Sequence, residues 1–124
     1  MARNLDKLES KVGYHFLDSR LLDRALTHRS FSAFNNERLE FLGDSVLGVI
    51  VSAILYRLYS DSEEGELTRM RAQVVKKDTL AQIARRLQLG DHLKLGGSAA
   101  KGGGTENDSI LADALESLIG AVYL

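Results

Sequence analysis

Apolar residues recur at intervals of three and four along most of this chain, which is the spacing of α-helices with one buried face. The stretch 5–12 predicts a short first helix that ends at Gly13. A second helix follows at 19–26, with Asp18 or Ser19 as its N-cap. The chain therefore begins with two short amphipathic helices.

The apolar residues from Leu39 to Tyr59 cover every side of a helical wheel, which predicts a buried helix at the centre of the fold. Its longest uncharged run, Ser45–Tyr56, is twelve residues, whereas a helix that spans a bilayer needs about 20. We therefore expect a core helix with no membrane contact. Gly43 and Gly48 predict close approach of a neighbouring helix, because glycine weakens a helix unless packing requires it.

The second half of the chain predicts three more helices. A polar turn at Ser60–Gly65 precedes the first, and Leu89-Gly90 ends the second. The segment Gly96–Asp108 has five glycines in thirteen residues, which predicts a mobile loop, and Asp108 or Ser109 then caps the last helix. The residues expected to face inward are Leu67, Met70, Val74 and Val75 in the first of these helices and Leu80, Ile83, Ala84 and Leu87 in the second.

Composition supports one all-α domain and excludes several kinds of function. The chain has 124 residues, 44% of them apolar and none of them proline, which suits a single helical domain over residues 1–124. Lys plus Arg number 16 against 17 Asp plus Glu, so there is no polybasic arm. The absence of cysteine excludes disulfides, thiolate zinc sites and a cysteine nucleophile. Met1–Lys11 has no apolar run typical of a signal peptide, so we expect a cytoplasmic protein.

Acidic residues share one face in each of two predicted helices. Glu37, Glu40 and Asp44 are spaced by three and four, so they share one face. Asp113 and Glu116 are spaced by three on a face of small residues in the last helix. Each set has an ordinary explanation, since the helix dipole favours acids near a helix start and a solvated face is often acidic. Together they suit Mg²⁺ or Mn²⁺, which prefer oxygen ligands.

Four stretches in order resemble the catalytic domain of ribonuclease III. The most specific is the signature-like Asn36–Ser45, which has the sequence NERLEFLGDS. The others are Ala25–Ser30, the pair Glu64-Gly65 followed by Arg69–Ala72, and Ser109–Glu116. The resemblance covers nearly the whole chain, and it implies an all-α helical bundle, the ribonuclease III endonuclease domain.

The resemblance also implies an activity. It implies an endonuclease that cuts double-stranded RNA, as in rRNA processing, to leave 5′-phosphate and 3′-hydroxyl ends. Mg²⁺ is the implied cofactor, Mn²⁺ is a possible substitute, and no small-molecule cofactor is implied. Glu37 and Glu64 match accessory acids of the same catalytic valley, and Phe41 matches an aromatic at the interface of a homodimer, although it could equally be a core residue. The implied metal-binding and catalytic acids are Glu40, Asp44, Asp113 and Glu116.

Two departures from the family and two alternatives remain at this stage. The resemblance stops at Leu124, before the closing helices of the nuclease domain and the double-stranded-RNA-binding domain, so we expect neither. The segment 105–108 lacks the basic residue often found there in bacterial relatives. The chain could instead be a non-catalytic RNA-binding or assembly module of the same fold, or an unrelated acidic bundle that buffers metal. We expect His28 to be structural.

Overall fold

A computed structural model describes residues 5–124 as a bundle of α-helices without a strand, which confirms the predicted fold class. The expectation for Met1–Lys11 falls partly on residues 1–4, which lie outside the described range. Two 3₁₀ turns, Leu89–His92 and Gly104–Glu106, join the later helices. The helices are α1 Leu5–Val12, α2 Ser19–Ala25, α3 Glu37–Leu58, α4 Glu64–Val75, α5 Lys77–Arg86, α6 Gly97–Lys101 and α7 Asp108–Tyr123.

The fold is organised around the contact between α3 and α7. Their backbones touch at two glycines: a methyl group added at Gly43 would overlap the carbonyl oxygen of Glu116, and one added at Gly120 would overlap that of Leu39. The close approach predicted for Gly43 is therefore confirmed. Helices α2 and α5 cover other sides of α7, whose buried residues include Leu111, Leu115 and Leu118.

The prediction that α3 is buried on all sides is wrong for the single chain. One side, including Val51 and Leu55, is buried, but Phe41 and Val49 on the other side are 79% and 70% exposed. By length and composition α3 could cross a membrane, with a mean hydropathy of 1.7 over its most apolar stretch, of which 22% is buried. Helix α3 thus has two apolar sides. The rest of the chain packs against one of them, and the other is exposed to solvent.

Two expectations about inward-facing residues are met only in part. In α4, Leu67, Met70 and Val75 are half-buried and Val74 is exposed, because α4 packs along α3 and against α5. Ile83 of α5 is more than a third exposed. Gly48 has no atom within 4 Å of where its methyl group would stand, so it marks no close approach.

The helix caps and the glycine-rich segment agree only in part with the predictions from the sequence. Asp18 caps α2 as predicted, accepting a hydrogen bond from the backbone of Arg20. The cap of α7 is Asn107, whose side chain accepts from Ile110 N, rather than Asp108 or Ser109. The segment predicted as a mobile loop contains α6 and the second 3₁₀ turn, so it is more ordered than its glycine content indicates.

Candidate metal centre

Three carboxylates from α3 and α7 converge where the two helices are closest. One oxygen each from Glu40, Asp113 and Glu116 can be chosen so that all three lie within 4.8 Å of one another, and all three residues are half-buried. The two acids of α7 do not form a solvated face, because Gly120 and Ser117 on the same side pack against α3. The structure thus brings together acids that are more than 70 positions apart in the sequence.

Asp44 joins this cluster through Glu116. It stands one helical turn beyond Glu40 on the same face of α3 and is exposed to solvent. Burial, and next a hydrogen bond with the Asp44 carboxyl, raise the pKa of Glu116 to about 8. The negative charges of Asp44, Glu40 and Asp113 act in the same direction. Burial and the surrounding negative charges both favour the protonated form of Glu116, which a bound cation would oppose.

The pKa values of the other two acids of the cluster, Glu40 and Asp113, are raised as well. Burial raises the pKa of Glu40, and the charges of Asp113, Glu37 and Asp44 add to the effect. Burial also raises the pKa of Asp113, against the opposing charges of His28, Lys77 and Arg29. A divalent cation would relieve both the burial penalty and the mutual repulsion. An oxygen-only donor set of this charge fits a hard divalent ion such as Mg²⁺ or Mn²⁺.

A buried polar contact holds the two helices in register beside these acids. Ser117 is fully buried, and its hydroxyl lies 3.1 Å from the carbonyl oxygen of Asn36 and 2.9 Å from that of Asp113. Asn36 is buried as well, and its amide donates to the carbonyl of Ala25 at the end of α2. This role was not predictable from the helix start, because the Asn36 side chain makes no cap bond on α3 and instead reaches Ala25, eleven residues earlier.

A cavity of 400 Å³ opens on the Asp113 side of the cluster. It is lined by the acids Glu37, Glu40 and Asp113 and by His28 and Arg29 from the turn after α2. The Nη1 atom of Arg29 lies 4.0 Å from an oxygen of Glu37, and both side chains are mostly exposed. Acidic and nitrogen-bearing side chains therefore line the same open space.

The two remaining predicted residues lie away from the cluster in the single chain. Glu64 is the first residue of α4, which starts beyond the far end of α3; Leu58, the last residue of α3, is about 27 Å from Glu40 by helical rise. Phe41 projects into solvent beside a cavity of 770 Å³ that Leu21, Arg24 and Leu42 also line. The possibility that Phe41 is an ordinary core aromatic is therefore wrong.

Comparison with known proteins identifies one family. Residues 18–124 match the family profile described as Ribonuclease-III-like. A Ribonuclease 3 of Marinomonas sp. is 53% identical over all 124 residues, and one of Delftia acidovorans is 58% identical over 120 residues, or 97% of this chain. The alignments cover 55% and 53% of those two proteins, so the chain spans about half the length of the curated relatives it matches.

Solved structures give the same result. The nuclease domain of ribonuclease III from Campylobacter jejuni superimposes with a TM-score of 0.95 at 45% identity, covering 97% of this chain and 85% of that one, and its description mentions a region involved in dimer formation. Dicer from Pichia stipitis matches with a TM-score of 0.67 at 34% identity, over 87% of this chain and 45% of its own.

Proposed function

The chain belongs to the ribonuclease-III-like family, and from that premise we propose that it is the catalytic domain, over residues 1–124, of a metal-dependent endoribonuclease. Its substrate is double-stranded RNA, and its products carry 5′-phosphate and 3′-hydroxyl ends. The observation that carries this proposal is the convergence of Glu40, Asp113 and Glu116, with carboxylate oxygens within 4.8 Å of one another. A half-buried cluster of this charge suits phosphodiester hydrolysis, because it would hold a cation that neutralises the negative charge developing on the phosphoryl oxygens.

Glu40, Asp44, Asp113 and Glu116 would hold Mg²⁺, for which Mn²⁺ can substitute. When bound at these acids, such a cation would supply the chemistry that carboxylates lack, namely activation of water and neutralisation of charge on the phosphate. The four acids bind and orient it, and the α3–α7 contact keeps their separation constant. The high pKa of Glu116 means that loading the site displaces a proton.

Glu37 and Glu64 are accessory acids in this proposal. Glu37 lies on the wall of the 400 Å³ cavity, where it can align RNA or water beside the cluster. Glu64 starts a helix beyond the far end of α3, so within one chain it cannot reach the cluster. In a dimer the same residue of a second copy would have to supply this acid.

A homodimer explains the exposed side of α3. Phe41 and Val49 lie on this apolar side, and the 770 Å³ cavity beside Phe41 offers a recess for an aromatic side chain. An aromatic and a recess on one surface are self-complementary under a two-fold axis. Contact with a second copy would remove this patch from water, and large exposed apolar patches generally mark such interaction sites.

The decisive experiment is incubation of the chain with a long perfect RNA duplex and Mg²⁺, with single-stranded RNA and duplex DNA as controls. We expect cutting of the RNA duplex alone. Binding of the duplex without cutting would instead support a non-catalytic module of the same fold. Equal cutting of duplex DNA would show that the 2′-hydroxyl groups of RNA are not recognised.

A further inference from the structure

The turn that carries His28 and Arg29 is attached to a distant part of the chain. Thr27 and Lys94 form an isolated parallel bridge, in which His28 N donates to Lys94 O at 3.0 Å and Lys94 N donates to Leu26 O at 2.8 Å. On the other side, Asn36 N donates to Thr27 O at 2.9 Å. The backbone of this turn is therefore held from two directions, and its side chains leave from a fixed base.

Hydrogen bonds around Ser30 determine which nitrogen of His28 carries a proton. Ser30 N lies 3.1 Å from His28 Nδ1, and a backbone N–H can only donate, so Nδ1 is an acceptor. The Ser30 hydroxyl lies 2.7 Å from the same nitrogen, and its oxygen accepts from Gly96 N at 2.8 Å. In the neutral ring the proton is then on Nε2. Gly96 is required here, because a methyl group at this position would overlap the carbonyl oxygen of Ser30.

The neutral form of His28 is also favoured by its surroundings. Burial lowers the pKa of His28, the charge of Arg29 lowers it further, and Asp113 and Glu37 oppose them. The ring lines the 400 Å³ cavity together with Arg29, Glu40 and Asp113. Besides the acids, the cavity lining thus includes the Nε2–H donor of His28 and the guanidinium group of Arg29.

A ligand that suits both the acids and the two donors is an anion that a cation links to the acids. We infer that His28 Nε2–H and the Arg29 guanidinium contact the phosphodiester of the RNA strand that is cut and position it over the acid cluster. This inference rests on the proposed function and extends it to two residues outside the acid set. His28 is then a substrate-contacting residue, whereas its place in the sequence predicted a structural role.

The test compares cleavage of an RNA duplex by His28→Leu, which removes the donor, and His28→Gln, whose amide can donate from a similar place. We expect kcat/KM to fall at least about 10-fold in His28→Leu and to recover most of that loss in His28→Gln. His15→Leu is the matched control, because His15 is exposed and lies after α1, where it pairs with Glu9. Arg29→Gln should also lose activity, while Arg20→Gln, at an exposed arginine paired with Asp18, should not.

Two measurements keep the inference separate from the proposed function. Nitrogen-15 NMR of the imidazole rings should show His28 with its proton on Nε2, and a proton on Nδ1 would overturn the inference whatever the activity. Mn²⁺ affinity without RNA should be the same in His28→Leu and the parent. A matching loss of Mn²⁺ affinity would overturn it, because His28 would then act through the acids rather than on the phosphate.

The remaining outcomes are also decisive. If the parent cuts duplex RNA and His28→Leu cuts equally well, the inference fails and the proposed function stands. If His28→Gln melts as low and cuts as slowly as His28→Leu, the role of His28 is structural and the inference fails. If the parent neither cuts nor binds duplex RNA, both the proposed function and the inference are wrong.

Discussion

At the scale of single residues, the raised pKa of Glu116 links the stability of the fold to pH. Its pKa is about 8 in the folded chain against 4.5 for an ordinary glutamate, so the folded state holds the proton more tightly than the unfolded state. The stability due to this proton is complete below about pH 4.5 and is lost as the pH rises through about 8. Burial raises the pKa of Glu40 and Asp113 as well, so their contributions have the same sign.

We therefore predict that, in the presence of a metal chelator, the melting temperature of the parent protein falls as the pH rises from 5 to 9. Glu116→Gln should remove much of this fall. The measurement is thermal unfolding across that pH range for both proteins. Asp61→Asn, at an exposed position in the turn before α4, is the control and should leave the slope unchanged. Identical slopes in the parent and Glu116→Gln would show that Glu116 ionises normally.

The same residue allows a test of the proposed chemistry. Glu116→Gln should abolish cutting of duplex RNA, because the amide removes a charge that binds the cation, and should leave duplex binding nearly unchanged. Cleavage and binding are measured on the same duplex under the same salt. Cutting at the parental rate would remove Glu116 from the proposed mechanism.

At the scale of helices, the contact between α3 and α7 depends on a glycine. Gly43→Ala should destabilise the chain by about 1–3 kcal/mol or more, because the added methyl would overlap the backbone of Glu116 and push the helices apart. Gly48→Ala in the same helix is the matched control, since its methyl meets nothing within 4 Å. It should stabilise the chain by up to about 1 kcal/mol. Denaturant unfolding measures both variants, and equal effects would contradict the close contact.

The exposed side of α3 leads to a prediction about assembly. Phe41→Ala should shift a dimer toward monomer, because truncating a buried interface aromatic costs at least about 2 kcal/mol at each site. Phe41 is 79% exposed in the single chain, so the monomer should keep its stability. Sedimentation over a concentration series measures the shift, with Leu17→Ala as an exposed apolar control. A parent that remains monomeric at high concentration would contradict the proposed dimer.

At the scale of the whole molecule, cation binding and folding are linked. Millimolar Mg²⁺ or Mn²⁺ should raise the melting temperature, because a ligand that binds only the folded state stabilises it, by about 2.7 kcal/mol at one hundred times its Kd. The Glu40→Gln, Asp113→Asn double variant should lose this shift. Without metal the double variant should melt no lower than the parent, since it also lacks the repulsion. A parent indifferent to both ions would contradict a preformed metal site.

Much of this protein follows from the sequence alone. The helices around 5–12, 19–25 and 37–58, the Asp18 cap and the shared face of Glu37, Glu40 and Asp44 were all predictable. These features depend on the period of the helix and on hydrogen bonds between near neighbours, which are local properties of a chain. A glycine inside a long helix predicted a close approach at both Gly43 and Gly48, and the structure confirms it only at Gly43.

Other features were decided only by tertiary structure. The pattern of α4 predicted inward-facing residues and that of α3 predicted burial on all sides, but how much of a helix is covered depends on its neighbours. The sequence could not show that Ser30 and Gly96 orient His28, since 66 residues separate them. The meeting of Glu40 with Asp113 and Glu116 required the α3–α7 contact. The physical reason is that helical periodicity orients side chains around one axis, whereas the distance between two axes depends on how complete side chains and backbones pack.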